Sequence, residues 1–400
     1  MQNTTITFIL FFTITMIVTG TQSLRVAILG SGMTGSTVAR TLADRGVKVT
    51  VFEAGYGIGG RMSTRTTRDD AQYHFDHGAQ YISKPKTETF QKKLGQWKRN
   101  GWVQEWTGTF GTAVQRSPGD NDQCTIQIEE EDIKKERWVG YPAMNSICQN
   151  LLQHENIQVI LQTKADAIYK TDQDSKWDLL HGKQKNHLGT FDWLVVTDRN
   201  SAAHFRKDLS SANMDEFRKS VRSIQSVKSL TAMVVFDKPL DLHVDAIQFD
   251  PENNDAFGSL GWAARDTSKP GRDRKDGKEC WVLQSNPDAA KKILKGMKSI
   301  EKIREKAKDV LVHDFIHTLS SYNHNIPVPK VVYAVGHRWG AAFPIPSKDY
   351  TALNSEIFPD KKCVTCGDYF GTLSGRIEGA YLSGISAADQ LLRDENFGDE

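Results

Sequence analysis

In residues 52–62, FEAGYGIGGRM, the carboxylate of Glu53 closes an apolar run, and Gly59-Gly60-Arg61 follows within nine residues. A carboxylate at the end of a strand accepts hydrogen bonds from ribose hydroxyls. A guanidinium suits bidentate contact with phosphate or sugar-alcohol oxygens. The glycine pair lets the chain turn tightly between the two. These residue types at this spacing describe a grip on a long nucleotide. A plain nicotinamide site has no need of the second loop; a cofactor that reaches further, such as FAD, does.

The elements upstream fit that grip. LRVAIL (24–29) is a short apolar run that predicts a buried strand. GSGMTG follows, with Gly30, Gly32 and Gly35 in G-x-G-x-x-G register around Met33 and Thr34. STVARTLADRG has helical apolar spacing and stops on Gly46; VKVTVFE (47–53) is the second strand. Gly30 serves the tight turn, Gly32 the approach to a pyrophosphate, and Gly35 the packing of helix on sheet. The helix N-terminus offers free N–H groups to phosphate. Glu53 lies 18 residues past Gly35, where a ribose-binding acid belongs.

Further segments agree in order. GSGMTGS, VFEAGYGIGGRMSTR and FDHGAQYIS, then WVGYPAMNSI (138–147), LGWAARDTSKPGR (260–272), HRWGAAFP (337–344) and CGDYFGTLSGRIEGAYLSGISAADQLL (366–392) together resemble the renalase-like branch of the FAD-dependent amine oxidase superfamily. The resemblance covers nearly all of the chain after residue 24. It implies an α/β fold: a Rossmann-like FAD-binding domain with an interleaved α+β substrate domain, of the glutathione-reductase and amine-oxidase type. It places Thr34, Glu53, Arg61, Gln80 and Tyr81 on FAD, and Asp368 on its ribityl–phosphate region. The residues themselves add Gly60, Gly78 for close passage of backbone by a planar ring, Gly367 at a strand end, and Gly379 where small residues open the last helix. No GGC cysteine accompanies the C-terminal segment, so the FAD is expected to be non-covalent.

The cofactor elements are expected at 24–83, 138–198 and 331–400, with a substrate domain from 84–137 and 199–330. The flavin supplies hydride acceptance, so no nucleophile or triad is expected. Trp339, His337, Arg338 and Tyr369 are the candidates for the open face of the ring. The resemblance implies oxidation of isomeric dihydronicotinamide dinucleotides, with oxygen as acceptor. The wider superfamily implies amine oxidation instead, for which Lys228 and Lys330 are available. A non-catalytic flavin protein is the third class. The polar stretch KPGRDRKDGKE (269–279) reads as a solvated hairpin tip.

The partners that the resemblance implies are a small-molecule substrate and oxygen. The net charge of +2 gives no support to nucleic-acid binding. Five cysteines form no metal-like cluster, and Cys363 and Cys366, spaced C-x-x-C, read as core or strand-end residues. Residues 1–23 carry no charge, and ITFILFFTITMIV is an apolar run of thirteen. That pattern predicts a secretory-pathway signal, with organelle targeting as the alternative and membrane contact only if the leader is retained.

Overall fold

The computed structural model describes residues 23–397 apart from 69–71, 117–124, 133–134, 171–175, 183, 200, 202–218, 220, 323–326 and 346–347. The leader expected at 1–23 lies outside the described residues, Ser23 aside. No helix among the described residues is long and apolar enough to cross a membrane.

A six-stranded sheet organises the cofactor half. Its order is Ile157–Ile160, Lys48–Phe52, Arg25–Leu29, Trp193–Val196, Cys363–Cys366, Ser355–Phe358, parallel except for the last pairing. Strand Arg25–Leu29 is apolar on both faces because both are covered: Val26 and Ile28 pack with the helix residues Val38, Leu42 and Ala387, and Ala27 and Leu29 pack with Trp177, Leu179 and Phe191. Helix Met33–Ala43 packs against the closing helix Ile377–Asp394, with Gly384 where the two come close: a methyl there would sit 2.8 Å from the Thr34 carbonyl oxygen. Thr34 Oγ1 donates to the Ala380 carbonyl at 3.0 Å, tying the two helix starts together. A three-stranded antiparallel meander, Ala165–Lys170, Trp177–His181 and Asn186–Phe191, fills the excursion between two strands of this sheet.

The second sheet has seven strands in the order Val331–Pro344, Ser226–Phe236, Glu279–Ser285, Leu260–Arg265, Ala246–Phe249, Phe110–Arg116, Thr125–Glu130. Helix Ile300–Tyr322 covers one face, burying Ile303, Ala307, Leu311, Phe315 and Leu319, a one-turn spacing that makes a single stripe. Ile303, Leu311, Phe315 and Leu319 each contribute on the order of 1.5–3 kcal/mol of burial.

One expected boundary moves. The last cofactor block was placed from residue 331, but Val331–Pro344 belongs to the second sheet, pairing along its length with Ser226–Phe236. The cofactor block resumes after it. The faces of this strand are distinct. Ala334 joins the cluster under the long helix, and a methyl at Gly336 would overlap the Arg304 carbonyl oxygen there. Tyr333 and Val335 face the other way, against Tyr73 and Phe75.

Cys363 and Cys366 are both buried, three residues apart on one strand, so their side chains lie on opposite faces of the sheet. Burial pushes the Cys366 thiol well above its ordinary pKa. The core reading of this C-x-x-C therefore stands.

Candidate functional site

A cavity of about 860 Å3 opens at the C-terminal ends of the parallel strands, between the two sheets. At one end it is lined by Leu29, Gly30, Gly32, Met33, Thr34, Phe52 and Glu53. Gly30 has φ +101°, a turn that only glycine adopts easily. A methyl at Gly35 would overlap the Gly30 carbonyl oxygen, so Gly35 serves helix–turn packing behind the cavity. Gly32 caps the helix without a side-chain hydrogen bond, leaving the first-turn N–H groups for a ligand. Glu53 Oε2 accepts from Ser31 N at 3.0 Å and Ser31 Oγ at 2.6 Å, and Oε1 accepts from Gly55 N at 2.6 Å. A carboxylate has roughly four acceptor positions, so this one is rigidly held with room for a further donor. Gly32 and Gly60 back onto each other, Cβ to Cα at 3.4 Å if Gly60 carried a methyl. An uncapped helix start, a clamped acid and a glycine-lined approach fit a dinucleotide such as FAD.

The waist is formed by Arg61 and Asp368. Both guanidinium nitrogens meet the carboxylate, Nη2 to Oδ1 at 2.6 Å and Nη1 to Oδ2, and Nη1 also donates to the Ala342 carbonyl at 3.2 Å. Arg61 was expected to meet cofactor oxygens directly. The fork holds Asp368 with two of its five N–H groups and the Ala342 carbonyl with a third. Nε–H and one Nη2–H remain. Arg61→Ala is expected to strand a carboxylate that is 10% exposed and to lower flavin affinity by roughly 10–100-fold, read as flavin content after dialysis. Unchanged content would remove Arg61 from the site.

The rest of the lining includes Met62, Ala79, Ser226, Ala341, Ala342, Phe343, Tyr369, Arg376, Ile377 and Ala380, the last beside Thr34, and a Trp339 end with Gly78, Ser229 and Gln284 around the indole. Trp339 Nε1 donates to the His77 carbonyl at 2.9 Å, which fixes the indole as a wall. His77 stacks on the Trp339 ring at 5.1 Å, and His337 packs against it at 4.5 Å with its plane tilted by 59°. His337 does not line the cavity. Burial lowers the His77 pKa to about 4 and the His337 pKa to about 3, with Arg65 adding to both. Both rings are neutral at pH 7, and His337 is a poor proton acceptor there. The unfolded chain binds protons near pH 6.5 that the folded protein refuses, so their contribution is intact above that pH and is lost as pH falls towards 4. The slope is about 1.4 kcal/mol per pH unit per histidine. Urea midpoints at pH 7 and pH 5 should differ accordingly, and His77→Gln should shrink the difference.

Strand alternation separates Arg338 from Trp339. Arg338 lies on the face turned to the long helix, outside the cavity lining, so it is not placed to meet substrate. Tyr369 is 3% exposed and lines the cavity, and its hydroxyl has no hydrogen-bond partner among the described residues. Gly367 and Gly379 stand behind the lining. Methyls there would crowd the Thr197 and Leu373 carbonyl oxygens, so both glycines serve close packing.

Gln80 and Tyr81 also fall outside the cavity. Gln80 Oε1 accepts from Lys269 at 3.3 Å, and Tyr81 packs on Phe110 and Trp262. The turn instead presents Gly78 and Ala79. Gln80 turns towards a buried charge cluster that overturns the expectation of a solvated loop at 269–279. Lys269 is 1% exposed and bonds Asp266 at 2.8 Å and Asp76 at 3.2 Å. Arg272 closes the ring, 2.8 Å from Asp76 and 2.5 Å from Asp266. Burial works to raise the Asp76 pKa, but Lys269, Arg272 and Thr64 carry it well below the usual carboxylate range. The solvated part of that stretch begins beyond Arg272.

Several lining residues carried no signal. Thr163, Lys164 and Ala165 enter from the meander beside Glu53, with Asp198 and Arg199 nearby. Ser226, Ser229 and Gln284 come from the second sheet, and Gln284 Nε2 donates to the Gly78 carbonyl at 2.7 Å. Arg376 was within reach of sequence reasoning: it is the cation directly before the last helix. Lys228 and Lys330 are exposed and do not line the cavity.

A profile for NAD(P)-binding Rossmann-like domains matches residues 28–94, and one for flavin containing amine oxidoreductases matches residues 107–392. Among solved structures, the chain is similar to a provisionally assigned protoporphyrinogen oxidase from Exiguobacterium sp. 255-15, at 11% identity and TM-score 0.66, covering 95% of this chain and 100% of that one. It is similar to cyclohexylamine oxidase from Brevibacterium oxydans IH-35A at 12% and 0.62, covering 93% and 99%. An oxidoreductase from Methanosarcina mazei matches at 11% and 0.64, covering 92% and 100%. At these identities the likeness to solved structures is one of fold.

Proposed function

The chain belongs to the family of flavin containing amine oxidoreductases and is an FAD-dependent oxidoreductase, and from that premise we propose a renalase-like activity: isomeric dihydronicotinamide dinucleotides are oxidised to NAD(P)+, and oxygen is reduced to hydrogen peroxide. The substrate loses a hydride; oxygen gains two electrons and, with solvent, two protons. Bound FAD supplies the hydride acceptor. The chain supplies position. Glu53 and the start of helix Met33–Ala43 fit the nucleotide end, and the Arg61–Asp368 pair fits the middle.

The observation that carries the reading is the far end of the cavity. Trp339 is pinned there as a flat wall beside Gly78, a surface suited to a planar ring. The carboxylates that line the cavity are Glu53, Asp198 and Asp368; Asp198, which lies near Arg61 and Tyr369, accepts from Ser201 N at 2.9 Å. The amine-oxidase alternative rests on the family alone.

Purified yellow protein, mixed anaerobically with isomeric dihydronicotinamide dinucleotides, should bleach rapidly at the oxidised-flavin bands, with no bleaching by primary amines or polyamines. The reverse pattern overturns the reading in favour of amine oxidation. No bleaching by either class leaves a non-catalytic flavin protein.

A further inference from the structure

We propose that Arg376 is a specificity-determining residue that engages an anionic oxygen, phosphate or carboxylate, on the molecule occupying the Trp339 end of the cavity. The inference rests on the substrate reading above, and it names the group that reading left without a recognised partner.

Arg376 is the last residue before helix Ile377–Asp394, in extended conformation, and it lines the cavity. Nη2 donates to Ser83 Oγ at 2.6 Å, which directs the side chain without neutralising it. Nε is buried and has no hydrogen-bond partner among the described residues. A buried donor left unsatisfied costs about 1–3 kcal/mol, so an arginine held this way fits a ligand that completes it. Nothing nearby plays that part. Glu378, two residues on, spends its carboxylate on the backbone N–H groups of Lys86 and Thr87 and on Thr87 Oγ1. The three carboxylates that line the cavity are committed elsewhere. Glu53 holds Ser31 and Gly55, Asp198 accepts from Ser201 N at 2.9 Å, and Asp368 holds Arg61. Among the described residues Arg376 therefore makes no ion pair while facing a concave site.

Its neighbours place it at the mouth. Gly375 adjoins Phe343 and Pro344, and Phe343 is 52% exposed. A substrate whose ring reaches Trp339 would leave its charged tail near this opening. An arginine with free N–H groups suits phosphate oxygens there. The same charge repels a protonated amine.

The test uses the flavin-loaded full chain, Arg376→Met and Arg376→Lys, with two probes. The first is anaerobic bleaching by the isomeric dihydronicotinamide dinucleotide and by the corresponding dihydronicotinamide riboside, which carries no phosphate. Arg376→Met should raise the apparent Kd for the dinucleotide by about 10–100-fold and change that for the riboside less than about threefold, with Arg376→Lys between. The second is inorganic pyrophosphate, titrated against the absorbance of the oxidised flavin, which should bind the wild type and bind Arg376→Met at least about tenfold more weakly. Equal losses on both reductants, equal pyrophosphate binding, or flavin lost from Arg376→Met but kept by Arg376→Lys would overturn the assignment. If no dihydronicotinamide bleaches the wild type while pyrophosphate binding still depends on Arg376, the substrate reading fails and the anion site stands.

Discussion

Lys269→Met is expected to destabilise the folded protein by about 3–5 kcal/mol. Lys269 and Arg272 together balance Asp76 and Asp266, four side chains at most 7% exposed. Removing one cation leaves a net negative charge that neither water nor a neighbour can offset. The loss should be readable as a drop in urea midpoint. Adding Asp266→Asn to Lys269→Met leaves Asp76 with Arg272, and the double variant should be more stable than Lys269→Met alone. The two residues touch, so a coupling energy of about 1–3 kcal/mol is expected. A loss under about 1 kcal/mol for Lys269→Met would mean that water reaches the cluster. The cluster also anchors the turn that presents Gly78, since Asp76 and Gln80 bracket it, so flavin content should fall with stability.

The second large effect is on cofactor capture. Gly78→Ala is expected to yield protein that retains at least about tenfold less flavin, measured as the flavin-to-protein absorbance ratio. A methyl at Gly78 would overlap the Arg61 carbonyl oxygen and approach Trp339 at 3.2 Å. The obstacle is backbone, fixed by the hydrogen bond from Ala79 N to Arg61 O at 2.9 Å, so no rotamer change relieves it. The Gly78 turn and the Arg61 loop must separate, and both line the cavity. Gly340→Ala is the control: its nearest neighbour would be an Arg338 nitrogen at 3.6 Å, an ordinary contact. Full flavin content in Gly78→Ala would show that the two loops separate without harm.

The nucleotide end was legible because its signals are local. Gly30, Gly32 and Gly35 are explained by turn and helix geometry within six residues, and Glu53 follows from the end of the next strand. What was not legible depends on partners far along the chain. KPGRDRKDGKE reads as solvent-facing because of its charges, but Lys269 and Arg272 are matched by Asp76, more than 190 residues away. Pairing buries what composition would expose. The same distance problem hid the strand Val331–Pro344, whose membership in the second sheet depends on its pairing with Ser226–Phe236. Within that strand, Trp339 reaches the cavity and Arg338 does not because successive side chains alternate, and only the register decides which. Gln80 and Tyr81 miss the cavity because their partners lie elsewhere: Lys269 for Gln80, and Phe110 and Trp262 for Tyr81.

The interlocking of early and late segments has a consequence for synthesis. Strand Trp193–Val196 lies between Arg25–Leu29 and Cys363–Cys366, and Glu378 caps the start of helix Glu88–Arg99 through Lys86 and Thr87. A nascent chain halted before residue 363 has neither the neighbouring strand nor the cap. Nor does it have Asp368, Ile377 or Ala380, so the cavity acquires its full lining only when the closing helix has been made.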